Sequence, residues 1–292
     1  MPLLHPTFTK YLFNELQKNS LNIYAPHGQG QLRLLEDLKQ LLEAEGDLVF
    51  LLKMKSYAES YNGFIQQISN QIVNQLPEIE SQTLSSFGDI STVLDKYAEK
   101  RRSVLLLHDF DALLDNPQID ESYDVNFFNN LNALKNKSHR LVCITERPHN
   151  QSQVFVRQKV HSNSWLDLKR IELPPLSYDE IKQELLCYKF KSDHANFNAL
   201  IDAIKSHPQS YQFLDFVRQK LMFHDAEGAK FNKRLKKWHK EFSKREKDTV
   251  FKGLHRVSKW SQRLAMLTGI NKLKTPFVFL LEVGQKFLEN RK

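Results

Sequence analysis

The chain has 292 residues, 41% hydrophobic and 26% charged, which is the composition of a globular protein rather than a fibrous or disordered one. No apolar run approaches the roughly 18 residues a membrane span needs, and the first residues lack the basic-then-apolar order of a secretory signal. The net charge of +8 is unevenly spread: residues 226–292 carry 18 Lys and Arg against 6 Asp and Glu, while the rest of the chain is mildly acidic.

From Leu21 to Leu173 short apolar runs alternate with helical patterns. Leu21–Ala25 reads as a buried strand. Gln31–Ala44 reads as a helix, with Leu34, Leu35, Leu38, Leu41 and Leu42 at three-to-four spacing and Gly46 behind it. Leu48–Leu52 is the next strand. Ser56 is placed to cap a helix over about 57–75, which Pro77 ends. A polar stretch over 78–90 follows, then a helix over Ile90–Ala98 and a strand at Val104–Leu107. A helix near 124–134 leads to strands at Leu141–Thr145 and Ile171–Leu173. Wholly apolar strands separated by helices indicate a parallel sheet covered on both faces.

After Pro174-Pro175 the pattern becomes helical. Ser177 and Glu180 form a capping box for a helix over about 178–189, and helices over 194–205 and 209–222 follow. Ala226-Glu227-Gly228 marks a hinge. Beyond it, Phe231, Leu235, Trp238 and Phe242 form one apolar stripe; a second runs from Val250 to Leu267 and a third follows Thr275-Pro276. The expected division is 1–175 for the α/β part, 176–225 for a helical cap and 226–292 for a basic helical region. Cys143 and Cys187 lie far apart with no CxxC partner. They fit neither a disulfide framework nor a zinc site, and they suit a reducing, cytoplasmic setting.

The segment Tyr24-Ala25-Pro26-His27-Gly28-Gln29-Gly30-Gln31-Leu32 sits between the first strand and the first helix of this α/β pattern. That is the context of a phosphate-binding loop, G-x-x-x-x-G-K-[ST], whose lysine neutralises phosphate and whose hydroxyl ligates Mg²⁺. Gln31 stands where the lysine belongs, Leu32 where the hydroxyl belongs and Ala25 where the first glycine belongs. Val104 to Leu113 resembles a Walker B strand ending in Phe-Asp-Ala-Leu. In that alignment His108 replaces the metal-side aspartate and Asp109 the catalytic glutamate; shifting by one position keeps the aspartate and loses the glutamate. Leu141 to Pro148 resembles a sensor 1 strand in which Thr145 keeps the polar position and Glu146 replaces an asparagine. Ile171 to Ile181 resembles the strand-to-lid junction. The following sensor 2 helix has no arginine near its start, Arg218 being the nearest.

In this order and spacing the four elements, spanning about residues 8–222, resemble a degenerate AAA+/STAND-type P-loop NTPase of the archaeal-ATPase and origin-recognition kind. The resemblance implies a parallel α/β sheet of order 5-1-4-3-2, a helical lid and a basic helical C-terminal region. It implies a vestigial nucleotide pocket at Gly28, Gly30, Gln31, Leu32, His108, Asp109 and Thr145, with no catalytic residue and no required cofactor, ATP binding without turnover being the alternative left open. His27, His108, Asp109 and Asp111 also suggest a metal site, but no ligand spacing supports one. The basic residues Lys233, Arg234, Lys236, Lys237, Lys240, Lys244, Arg245, Lys252, Arg256, Lys259 and Arg263 are the expected contacts to DNA or RNA phosphates. The expected role is a nucleic-acid- and protein-binding adaptor in a DNA-processing or mobile-element assembly, with partner subunits and no membrane. The rival readings are a nucleotide-binding switch without hydrolysis and a purely structural protein adaptor.

Overall fold

The computed structural model describes residues 3–79, 84–114, 116, 118–135, 139–151, 153–156, 159–162, 166–188 and 190–245. Five strands build one sheet: β1 (Leu21–Tyr24), β2 (Leu48–Lys53), β3 (Ser103–His108), β4 (Arg140–Thr145) and, after a separate antiparallel pair β5 (Gln153–Val156) and β6 (Lys159–Ser162), β7 (Lys169–Glu172). The sheet order is β7-β1-β4-β3-β2 and every neighbouring pair is parallel. Counted within the sheet this is the expected 5-1-4-3-2. The β5–β6 pair was not anticipated.

The unbroken apolar strands follow from burial on both faces. Leu48, Phe50, Leu52, Leu105, Leu107, Leu141 and Cys143 face helices α3 (Tyr61–Gln75), α4 (Phe87–Tyr97) and α5 (Val125–Lys135). The alternate residues Val49, Val104, Leu106, Val142 and Ile144 join Leu21 and Ile23 in a second core, against α1 (Pro6–Glu15) and α2 (Gln31–Ala44). Period-two alternation thus feeds two cores from the same strands. Cys143 is a buried member of the first, where burial pushes its thiol far up from the ordinary range.

Three boundaries differ from expectation. Helix α3 starts at Tyr61, not near 57, because Met54–Ser56 forms a 3₁₀ turn and Ser60, rather than Ser56, accepts from the Gly63 N–H. Helix α4 starts at Phe87, where Ser86 and Asp89 close a capping box. Helix α1 was not expected at all. Its end is held from a distance: Arg102 and Arg140 donate to the Leu16 and Gln17 carbonyls.

The β2 edge of the sheet is closed by side chains. Gln71 and Gln75, one turn apart on α3, each pair with a backbone N–H and C=O, Gln71 at Leu51 and Gln75 at Val49, at 2.8–3.2 Å. A helix rises about 6 Å in four residues and a strand nearly 7 Å in two, so the two carboxamides keep register with alternate strand residues. They occupy the positions a sixth strand would use.

Helices α6 (Tyr178–Leu186), α7 (His194–Lys205) and α8 (Ser210–Leu221) form the lid. The Ser177–Glu180 capping box starts α6. Residues up to Glu227 form one compact unit and those from Gly228 form another. The described part of the second unit is a helix over 231–245. Among the described residues no helix is long and apolar enough to cross a membrane. The apolar stripes expected beyond 250 lie outside the described residues.

The double change Gln71→Ala with Gln75→Ala removes four hydrogen bonds from the β2 edge. We expect a loss of about 1–3 kcal/mol in denaturant unfolding and concentration-dependent association in light scattering. An unchanged midpoint with a monodisperse monomer would contradict the edge-sealing role.

Candidate functional site

The glycine turn between β1 and α2 depends on backbone freedom. Gly28 and Gly30 have φ of 90° and 86°, values that side-chain-bearing residues adopt only with strain. There is no room for a side chain either. A Cβ on Gly28 would lie 2.9 Å from Gln209 Cβ, and one on Gly30 would lie 2.8 Å from Leu4 Cδ2 and 3.0 Å from Tyr211 Cγ. The lid helix α8 and the N-terminal segment therefore sit directly on the turn.

Gln31 opens α2 and folds back beneath the turn. Its Nε2 donates to the carbonyls of Pro26 (2.7 Å) and Ala25 (3.2 Å), and its Oε1 accepts from the Gln29 N–H (3.2 Å). One neutral carboxamide thus links both ends of the loop from inside. The lid closes it from outside. The Gln212 N–H donates to Gly28 O (3.2 Å), Gln29 Nε2 donates to Pro208 O, and Ser210 Oγ donates to Gln29 Oε1 (2.9 Å). Gln212 Nε2 also lies 3.2 Å from His27 Nε2.

The N-terminal segment adds a further tie between base and lid. Leu4 N–H donates to Asp37 Oδ2 on α2 (2.7 Å), and buried His5 places Nδ1 2.9 Å from Glu180 Oε1 on α6. Burial raises the Glu180 carboxyl, but its hydrogen bonds to His5 and Ser177 outweigh that and hold it below the ordinary range. Arg33 pairs with Asp37 at 2.8 Å and lies 3.9 Å from buried Glu184 of α6.

The other strand ends complete the cleft. His108 ends β3. Its Nδ1 lies 3.1 Å from Asp109 Oδ2, an ion-pair separation whose alignment is not that of a good hydrogen bond. Asp109 alone among described non-glycine residues has a left-handed φ, 53°, a conformation costing about 1–2 kcal/mol. Burial pushes its carboxyl up, and the neighbouring His108, Lys55 and His27 more than reverse this. Asp111 goes the other way: burial raises it, and the nearby charges of Glu146 and Asp109 raise it further.

Thr145 is committed to its own strand end. The hydroxyl donates to Arg147 O (2.6 Å) and accepts from Asn22 Nδ2 (2.8 Å). Asn22, fully buried on β1, also donates to Cys143 O and accepts from the His149 N–H.

All seven residues expected at the vestigial pocket, Gly28, Gly30, Gln31, Leu32, His108, Asp109 and Thr145, line one cleft of about 220 Å³ at the C-terminal end of the sheet. An open hollow of about 610 Å³, which shares His27, Asp111 and Glu146 with it, adjoins. Arg218 lies elsewhere, its guanidinium 4.4 Å from the centre of the Tyr188 ring. The sequence reading missed Leu4, His5, Gln29, Gln209, Gln212 and Asn22. The run of glutamines in the loop and at the lid helix start was the available signal for three of them. Among the described residues no group of three or more His, Cys, Asp and Glu side chains is placed to hold a metal ion.

Seven of the expected phosphate contacts fall on the 231–245 helix. Lys233, Lys236, Lys237, Lys240 and Lys244 are exposed. Arg234 is half-buried with its guanidinium 5.8 Å from the Phe231 ring centre, and Arg245 pairs with Glu241 at 3.0 Å. Lys252, Arg256, Lys259 and Arg263 lie outside the described residues.

No family model and no curated protein matches the sequence. Solved structures do resemble the fold. The ORC1 protein of Aeropyrum pernix in complex with DNA superposes with a TM-score of 0.52 at 12% identity, over 83% of this chain and 66% of that one. AMPPCP-bound DnaA from Aquifex aeolicus gives 0.47 at 14% identity, over 78% and 63%. The chain spans less than two thirds of either. The architecture is that of an AAA+ P-loop NTPase, with parallel sheet and helical lid.

Gly30→Ala is expected to destabilise the fold by about 2–4 kcal/mol, combining left-handed strain with a clash against Leu4 and Tyr211. Gly46, at a φ of 90° with nothing within 4 Å, is the control. Gly46→Ala should cost only about 1 kcal/mol. Equal losses in denaturant unfolding would contradict close packing of the lid on the turn.

Proposed function

We propose that this chain is a catalytically inactive AAA+-like adaptor that binds nucleic acid through its basic 231–245 helix and docks on a partner subunit. The observation that carries the inactivity is the Gln31 carboxamide, which spends its donors and acceptor on the loop itself. A working loop needs a cation at that position and open amides beside it. Here the position is neutral and the lid packs on the turn. The rest of the cleft points the same way. Asp109, Asp111 and Glu146 line it, so its carboxylates would repel phosphate oxygens. These residues do not fit a magnesium-bound nucleoside triphosphate.

The nucleic-acid half of the proposal rests on the exposed lysines. The ORC1 neighbour was solved in complex with DNA, which agrees with this reading at the level of the fold. A chain without turnover needs another component to supply activity, and a partner subunit is the simplest source. Replication, transposition and mobile-element defence are the settings such an adaptor fits.

Titration calorimetry with magnesium and ATP up to millimolar concentration is expected to give no binding heat. Gln31→Lys alone should not create turnover, because Leu32 and His108 remain. Micromolar ATP affinity in the parent chain would overturn the proposal in favour of a nucleotide-operated switch.

A further inference from the structure

The 231–245 helix divides into two opposed faces. Phe231, Leu235, Trp238 and Phe242 form one stripe, none more than 9% exposed. At about 100° per residue, Lys233, Lys236, Lys237, Lys240 and Lys244 fall within an arc of about 100° centred on the opposite side. All five are exposed. The stripe from Lys233 to Lys244 runs about 16 Å along the helix axis.

We infer that this face binds the phosphate backbone of double-stranded nucleic acid, DNA in the first instance, in preference to single strands and without reading sequence. The inference rests on the nucleic-acid reading above and sharpens it. Single-strand binders gain about 1–3 kcal/mol per base from stacking on exposed aromatic rings. Every aromatic of this helix apart from exposed His239 is on the buried stripe, so the helix itself offers no indole or phenyl platform. Base reading by bidentate contacts favours arginine. The two arginines here are diverted, Arg234 toward Phe231 and Arg245 to Glu241, and the free stripe is all lysine, which acts as a point charge. Affinity then comes from counterion release. That favours a duplex over its single strand, duplex DNA carrying one phosphate charge per roughly 1.7 Å of axis. An anionic membrane surface is a poorer match, because a surface-seeking helix needs an accessible apolar face and this one is buried.

Fluorescence anisotropy with the full chain tests this, using a 20-base-pair DNA duplex, its single strand, the matching RNA duplex and vesicles containing phosphatidylserine. Five lysine contacts predict a salt slope of about −4.5 for the duplex, a roughly 500-fold loss of affinity between 50 and 200 mM salt. Two unrelated duplex sequences should bind alike, and the duplex more tightly than the single strand. Changing the five lysines to glutamine should take about 4.5 units from the slope and leave the unfolding midpoint in place, since all five are exposed. Equal or tighter binding of single strands, or a slope unmoved by the five changes, would overturn this inference while leaving nucleic-acid binding intact. Binding of no nucleic acid, or of vesicles alone, would overturn the underlying reading as well. Tighter binding of the RNA duplex than of the DNA duplex would reassign the face to A-form helices and overturn the assignment to DNA.

Discussion

The Gln31 side chain fixes the glycine turn on which the lid rests. A lysine at this position would reach outward to a phosphate. A glutamine is shorter, neutral, and both donor and acceptor, so it turns inward and ties Ala25 and Pro26 to Gln29. With the loop fixed from below, Gln29 is free to meet Pro208 and Ser210 of the lid, and Gly28 O to meet the Gln212 N–H. Each net hydrogen bond is worth about 1 kcal/mol. Several acting together hold the lid on the turn.

Contacts within the chain recur around the cleft. Thr145 bonds Arg147 and Asn22, and Asp109 sits beside His108. Leu4 and His5 bring the N-terminal segment onto Gly30 and Glu180. Thr145 and Asn22 are satisfied within the chain, whereas buried His108 Nδ1 and Asp111 Oδ1 have no hydrogen-bond partner.

The sheet was legible in the sequence because a parallel strand buried on both faces leaves an unbroken apolar run, as at Val104–Leu107. The resemblance at the loop and the strand-to-lid junction set the strand order. Helix α1 was not legible: only Thr9 and Leu12 are buried within it, and its anchors, Arg102 and Arg140, are far away in sequence. The inward turn of Gln31 was not legible either. Sequence shows that a lysine is missing, but the carbonyls its replacement bonds are fixed by the turn's three-dimensional course. On the basic helix, spacing separated apolar from charged residues correctly. It could not show that Arg234 lies against Phe231 or that Arg245 pairs with Glu241.

Hydrogen exchange at the amides of Gln29 and Gln212 tests the central claim most directly. If Gln31 and the lid close the loop from within, the amides of Gln29 and Gln212, bonded to Gln31 Oε1 and Gly28 O, exchange slowly in the protein alone, and adding magnesium and ATP leaves their rates unchanged. Fast exchange in the free protein that slows on adding nucleotide would show an open loop awaiting a phosphate, and would contradict the account.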